Sequence, residues 1–336
     1  MIIERPLYLK QLIALRHNGM IKIVTGIRRC GKSFLLSTLY ASWLKEQGVA
    51  DDHIIDINLE DRRNKSLRDP DNLLAYIDSK INDDNMHYIM IDEIQLVPEF
   101  EDVLNSYLNM HNADVYVTGS NARFLSSNVR TEFAGRGDEI RLHPLSFSEF
   151  CSIKGDDKTL NLREYMIYGG MPQVVLRETE KEKSEVLKAL FLRTYIRDIV
   201  ERYNVKNTDT LDELLDIVAS SIGGLTNPTK LCNTFESVKH EKVNRMTITS
   251  YLGYLCESFL IERSSQYDIK GKKYIDSPYK YYFCDCGLRN ARLNFRQIEF
   301  THLLENVIYN ELLIRGFNVD IGVVTKQVRI DDGSRI

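Results

Sequence analysis

Eight residues constrain this chain more than any others. GIRRCGKS (26–33) satisfies the pattern GxxxxGK[ST] in full. Gly26 and Gly31 let the backbone bend so that successive N–H groups face inward and bind phosphate oxygens. Lys32 carries a point charge to the β and γ phosphates of a nucleotide, and Ser33 offers a hydroxyl to Mg²⁺. An apolar run ends at Thr25 and an amphipathic one begins at Ser33, so the loop joins a strand to a helix. The positive end of that helix's dipole adds to the anion site. The backbone of Ile27, Arg28, Arg29, Cys30 and Phe34 completes the expected ATP/ADP contact, whereas the pattern leaves their side chains unconstrained.

A phosphate loop requires a parallel sheet around it, and the first 145 residues carry the signals of one. Short apolar runs alternate with longer helical patterns. Strands are predicted at Ile21–Thr25, Ile54–Leu59, Tyr88–Asp92, Val115–Thr118 and Glu139–Leu142, with helices starting near Ser33, Asp71, Pro98 and Asn121. YIMIDE (88–93) ends its strand in two acids, at the end of the sheet that faces a bound nucleotide. Asp92 is expected to hold Mg²⁺, and Glu93 to polarise the attacking water. One strand separates the loop strand from the acid strand. This points to an additional-strand P-loop NTPase core with parallel sheet order 5-1-4-3-2. The next strand ends VYVTGSN (115–121), whose tip supplies a polar residue to the γ-phosphate or the water. Ser120 and Asn121 are both candidates, and Thr118 is a weaker one. Arg136, before the fifth strand, is a candidate for a γ-phosphate in its own or an adjacent subunit.

Beyond residue 145 the strand signals stop. Residues 146–205 read as a helical lid interrupted by Gly169-Gly170-Met171-Pro172. Residues 206–289 read as three helices and a hairpin, the order of a winged helix, and 290–336 as a helix and a strand. The 336 residues carry a net charge of −4, which argues against a generally basic nucleic-acid-binding surface. The 206–289 unit balances eleven Lys/Arg against eleven Asp/Glu. Lys270, Lys272, Lys273 and Lys280 nevertheless cluster around the wing with Tyr274, Tyr279, Tyr281 and Tyr282, a mixture suited to phosphate contact and stacking on duplex DNA. Packing against the ATPase core or a protein partner is the competing reading. Six cysteines without CxxC spacing suit a reducing cytoplasm, and no apolar run is long enough to span a membrane.

These segments together resemble the bacterial and archaeal AAA-family ATPases of the AAA_14 plus DUF4143 type. The resemblance is carried by GIRRCGKSFLL, YIMIDEIQLVPEF, VYVTGSNARFL, GRGDEIRLHPLSFSEF, YGGMPQVV, YIRDIVERY, SYLGYLCESFLIERSSQYDIKGKKY and HLLENVIYNELLIRGF, in order along nearly the whole chain. It implies that Pro172, in a GxP-like motif, packs on adenine, and that Arg197-Asp198 is a recurrent lid pair. It also implies that 290–336 is the start of a restriction-endonuclease-like domain, left incomplete here, with Glu305 a lone acid and no nuclease activity expected. The functional expectation is hydrolysis of Mg-ATP coupled to movement of the lid and winged helix. The alternatives are a slow nucleotide-dependent switch or scaffold, and an ATP-controlled DNA-binding regulator.

Overall fold

A computed structural model describes residues 2–120, 135–239, 242–267 and 278–322. The helix predicted near Asn121 lies outside them. The chain starts with α1 (Pro6–Leu15), then β1 (Ile21–Thr25). Next comes α2, a continuous helix built of Lys32–Phe34, a π-helical turn over Leu35–Tyr40, and Ala41–Glu46. There follow β2 (Ile54–Asn58), α3 (Pro70–Asp78), β3 (His87–Asp92), α4 (Phe100–Tyr107), β4 (Ala113–Gly119) and β5 (Gly137–Arg141). The five strands pair in parallel in the order β2-β3-β4-β1-β5, the expected 5-1-4-3-2 order read from the other edge.

Strand periodicity sorts the apolar side chains onto two faces. Ile21, Ile23, Ile55, Ile57, Ile89, Ile91, Val115 and Val117 pack with α3 and α4. Val24, Tyr88, Met90, Tyr116 and Ile140 point the other way, under α1 and α2. Lys22 departs from the apolar reading of β1. It is fully buried, ion-paired to Asp114 of β4, and donates to Met20 O (2.9 Å). Asp114 also accepts from Tyr116 Oη (2.7 Å) and His17 N (3.1 Å).

The second face continues into the rest of the chain. This part comprises α5 (Phe147–Lys154), α6 (Lys158–Tyr168), α7 (Pro172–Val175) and α8, which is Glu180–Ala189, a π-helical stretch over Leu190–Ile196, and Arg197–Tyr203. After it come α9 (Thr208–Ser220), α10 (Pro228–Thr234), α11 (Arg245–Glu257), β6 (Ile261–Tyr267), β7 (Tyr279–Phe283), α12 (Cys286–Arg292), α13 (Phe300–Ile314) and β8 (Ile321–Gly322). β6 pairs antiparallel with β7 and parallel with β8. Residues from all three expected segments up to 289 share one apolar core: Val24 from β1 and Leu36 from α2, Phe191 and Tyr195 from α8, Leu214 and Leu255 from beyond. α13 packs through Leu303 and Val307 on Phe150, Tyr165 and Met166. Among the described residues no helix is long and apolar enough to cross a membrane.

Asp285, buried at the start of α12, ties these layers together. It accepts from Gly170 N (2.6 Å) and Leu288 N (3.0 Å). A Cβ on Gly169 would run into its carboxylate, which accounts for glycine there. Burial outweighs the hydrogen bonds from Gly170 and Leu288 and raises the Asp285 carboxyl from 3.8 to about 6. A raised folded-state value means that its contribution is complete below about pH 3.8 and is lost as pH rises through about 6. Measured against Asp285→Asn, the wild-type stability should therefore fall by about 3 kcal/mol over that window. A pH-independent difference between the two proteins would exclude it.

Candidate nucleotide site

The loop after β1 lies between its neighbours' ends, because β1 pairs with β4 on one side and β5 on the other. Gly26 passes so close to Leu142 that a Cβ would meet the Leu142 carbonyl oxygen. Gly31, at φ +106°, precedes α2. The first helical bond runs from Leu35 N to Gly31 O (2.9 Å), so the N–H groups just before Leu35 have no acceptor inside the helix. Ile27 and Cys30 are buried, with the Cys30 thiol directed at Leu142 O (3.5 Å); burial pushes that thiol's pKa up. Arg29 and Phe34 are exposed, and Arg29 takes a left-handed backbone (φ 64°).

Around this loop the fold gathers a compact polar set. Lys32 is buried and donates to Gly26 O (3.1 Å) and Ile27 O (3.4 Å), with Glu93 Oε1 at 3.8 Å. Ser33 Oγ donates to Asp92 Oδ2 (2.7 Å). Thr118 Oγ1 donates to Asp92 Oδ1 (2.6 Å) and accepts from Glu93 N (2.9 Å). Ser120 Oγ donates to Glu93 Oε2 (2.9 Å), which also accepts from Gln95. Desolvation is the main force raising the Asp92 pKa, opposed by its Thr118 and Ser33 hydrogen bonds. Glu93 adopts a left-handed φ of 56°, directing its side chain across the tip of β4 instead of along β3.

Two of the polar candidates do not join this set. Asn121 lies outside the described residues. Arg136 is exposed at the opposite edge of the sheet: its carbonyl accepts from Ile21 N (2.9 Å), and Gly137 pairs with Ile21, the first residue of β1. The phosphate loop begins beyond the other end of β1, about 16 Å along the strand. Arg136 is therefore excluded from its own subunit's γ-phosphate. Proximity in sequence to β5 was the misleading signal, because a residue before a parallel strand lies at the wrong end.

Other contacts were not legible in the sequence. Tyr195 Oη donates to Arg28 O in the phosphate loop (3.0 Å) and lies 4.0 Å from Met171 Sδ, bringing the GGMP segment and α8 against the loop backbone. Pro172, half-buried, opens α7 next to that methionine. The Arg28 guanidinium pairs with Glu60 after β2, and with Asp198 of α8 at 3.5 Å. Asp198 is held in turn by Arg202 (2.6 Å), whereas Arg197 is exposed and pairs with Glu201 (2.6 Å). A tyrosine on a helical apolar stripe reads as core, and Tyr195 is indeed buried; only the packing shows where its hydroxyl goes.

The AAA domain family (AAA_14) matches residues 18–151, and a domain of unknown function, DUF8612, matches residues 159–299. The second corrects the expectation of DUF4143. An uncharacterized protein of Haemophilus influenzae is 36% identical over 327 residues, spanning 96% of this chain and 81% of that one. The uncharacterized protein MJ1544 of Methanocaldococcus jannaschii is 30% identical over 311 residues, spanning 88% of this chain and 67% of that one. Among solved structures, the Aeropyrum pernix ORC2 protein in ADPNP and ADP complexes aligns over 93% of this chain and 92% of its own, at 13% identity and a TM-score of 0.43.

Proposed function

Because this chain belongs to the family of the uncharacterized Haemophilus influenzae and Methanocaldococcus jannaschii proteins and itself carries an AAA-domain match, we propose that it binds Mg-ATP at Gly26–Ser33 and hydrolyses it to ADP and phosphate. The observation that carries the reading is the convergence of Lys32, Ser33, Asp92, Glu93 and Ser120 at one end of the sheet. The Ser33 hydroxyl and Asp92 carboxylate form a hard-oxygen pair that fits Mg²⁺, which when bound neutralises charge on the β and γ phosphates. Glu93, oriented by Ser120 and Gln95, accepts the proton of the attacking water. Lys32 exchanges its loop-carbonyl bonds for phosphate oxygens, and Pro172 flanks the base.

Coupling to the rest of the chain passes through Arg28. Its carbonyl is bonded by Tyr195 and its guanidinium is paired with Asp198, so a change in the loop acts directly on α8, the lid helix. The segment from α9 to β7 is read as a winged helix. The bridge between Thr226 and Tyr279, where an additional short strand of such a unit pairs with the wing, supports this. Its described wing residues support packing in preference to duplex DNA: Lys280 is paired with Glu305 (2.7 Å), and Tyr281 and Tyr282 are buried. Lys270, Lys272, Lys273 and Tyr274 lie outside the described residues. A cytoplasmic setting belongs to the same proposal.

The direct test is equilibrium binding of a nonhydrolysable ATP analogue with Mg²⁺. Lys32→Ala removes charge-assisted bonds to phosphate and should weaken binding by about 10- to 100-fold. Equal affinity in the two proteins, or no binding by the wild type, would overturn the proposal.

A further inference from the structure

At the edge of the sheet away from the phosphate loop, two histidines face one carboxylate. His87 opens β3 and is fully buried. Its Nδ1 lies 2.8 Å from the carbonyl oxygen of Asn85, which can only accept, so Nδ1 carries the proton. The other nitrogen, Nε2, is left as a buried lone pair without a hydrogen-bond partner among the described residues. Buried polar atoms are ordinarily satisfied, so an orphan of this kind calls for an explanation. Asp83 Oδ1 lies 4.0 Å from it.

The same carboxylate is approached from the other side. His53 ends the short turn Asp51–His53 that feeds β2, and its Nε2 lies 3.1 Å from each Asp83 oxygen. Its Nδ1 is engaged by Asp52 Oδ1 at 2.9 Å. The two rings lie with centroids 4.6 Å apart. Each imidazole thus has Nδ1 anchored on an acceptor and Nε2 directed at Asp83, the arrangement in which outer acceptors fix the ring and tautomer of a metal-binding histidine.

We propose that His53 Nε2, His87 Nε2 and the Asp83 carboxylate form a binding site for a divalent transition-metal ion of zinc's class. All three ligand atoms lie within 4.8 Å of one another. Metal–ligand bonds of about 2.0–2.1 Å in a tetrahedron set ligand–ligand edges of roughly 3.3 Å. The 3.1 and 4.0 Å separations of the two Nε2 atoms from Asp83 Oδ1 bracket that edge. Two imidazoles with one carboxylate favour zinc, nickel, copper or iron over the hard cations Mg²⁺ and Ca²⁺, and water fills the open position. The ion cannot take part in ATP chemistry, because Asp92 lies five residues further along β3, about 17 Å away. It would instead staple the entry of β2, the loop at Asp83 and the start of β3, where Ile54 pairs with Tyr88.

The test is titration of the full chain with Co²⁺, followed by visible absorption, with Zn²⁺ as competitor. One equivalent of Co²⁺ should give ligand-field bands that Zn²⁺ displaces, and Zn²⁺ should raise the melting temperature. His53→Gln and Asp83→Asn, on side chains that are not fully buried, should each raise the Co²⁺ dissociation constant at least about 100-fold, and Asp52→Asn about tenfold. Circular dichroism of the variants separates lost binding from lost fold. Absence of stoichiometric binding, equal binding by the wild type and both variants, or thiolate-to-cobalt charge transfer would overturn the proposal. So would binding that survives in His53→Gln and vanishes in Asp92→Asn, which would assign the ion to the phosphate loop.

Discussion

Replacing Glu93 by glutamine is expected to lower steady-state ATP turnover by about 10²- to 10⁴-fold while leaving the affinity for ATP close to that of the wild type. The substitution removes the proton acceptor and little else. An amide oxygen at this position still accepts from Ser120 Oγ, now 2.9 Å from the carboxylate, and from Gln95. The left-handed backbone at residue 93 and its N–H bond to Thr118 are untouched. Binding is carried by the loop amides and by Lys32, whose distance of 3.8 Å from Glu93 makes their ion pair the weakest element of the set. Losing that pair frees the lysine for phosphate, so affinity should not fall. The measurement is phosphate release at saturating ATP beside a binding titration. Turnover at the wild-type rate would remove Glu93 from the chemistry, and a parallel loss of binding would make its role structural.

The second large effect concerns stability. Asp114→Ala should destabilise the fold by about 3–5 kcal/mol, because it leaves the Lys22 ammonium buried without its counter-charge. Neither side chain has appreciable contact with solvent. Burial already pushes the Lys22 pKa down, with Asp114 opposing it, so loss of the carboxylate leaves the lysine either charged at high cost or neutral. Tyr116 Oη and His17 N lose an acceptor in the same step. The double variant Lys22→Met/Asp114→Ala should recover part of the loss, since the uncompensated charge is gone. Urea denaturation at pH 7 reads both. A change under about 1 kcal/mol in Asp114→Ala would show that the pair is compensated in a way that its burial does not reveal.

Legibility in the sequence followed the range of the interactions involved. The phosphate loop was plain because its chemistry is local: glycines at two backbone positions, then lysine and serine at the mouth of a helix. Asp92 and Glu93 were found by their place at the end of an apolar strand. Ser120 and Asn121 could not be separated, since alternation along a strand does not say which hydroxyl at a turn reaches a neighbour's acid. Thr118, the weaker candidate by its position inside the strand, contacts both Asp92 and Glu93. Arg136 is kept from its own subunit's loop for a topological reason: strand direction, fixed only by pairing with β1, puts it at the far end of the sheet.

What the sequence marked out alone was the GxxxxGK[ST] loop, the order of the five strands of the sheet, and the position of two acids at the end of one of them, because each rests on backbone freedom or periodicity within a few residues. Only tertiary structure decided the long-range partners. Arg28 with Asp198, Tyr195 with the loop carbonyl, Asp285 with the glycine pair, and His53 with His87 across Asp83 are all contacts between distant parts of the chain. No local propensity encodes such contacts. They exist because parallel pairing and shared apolar cores bring the elements together, and polar side chains buried in that process must find partners wherever packing leaves them.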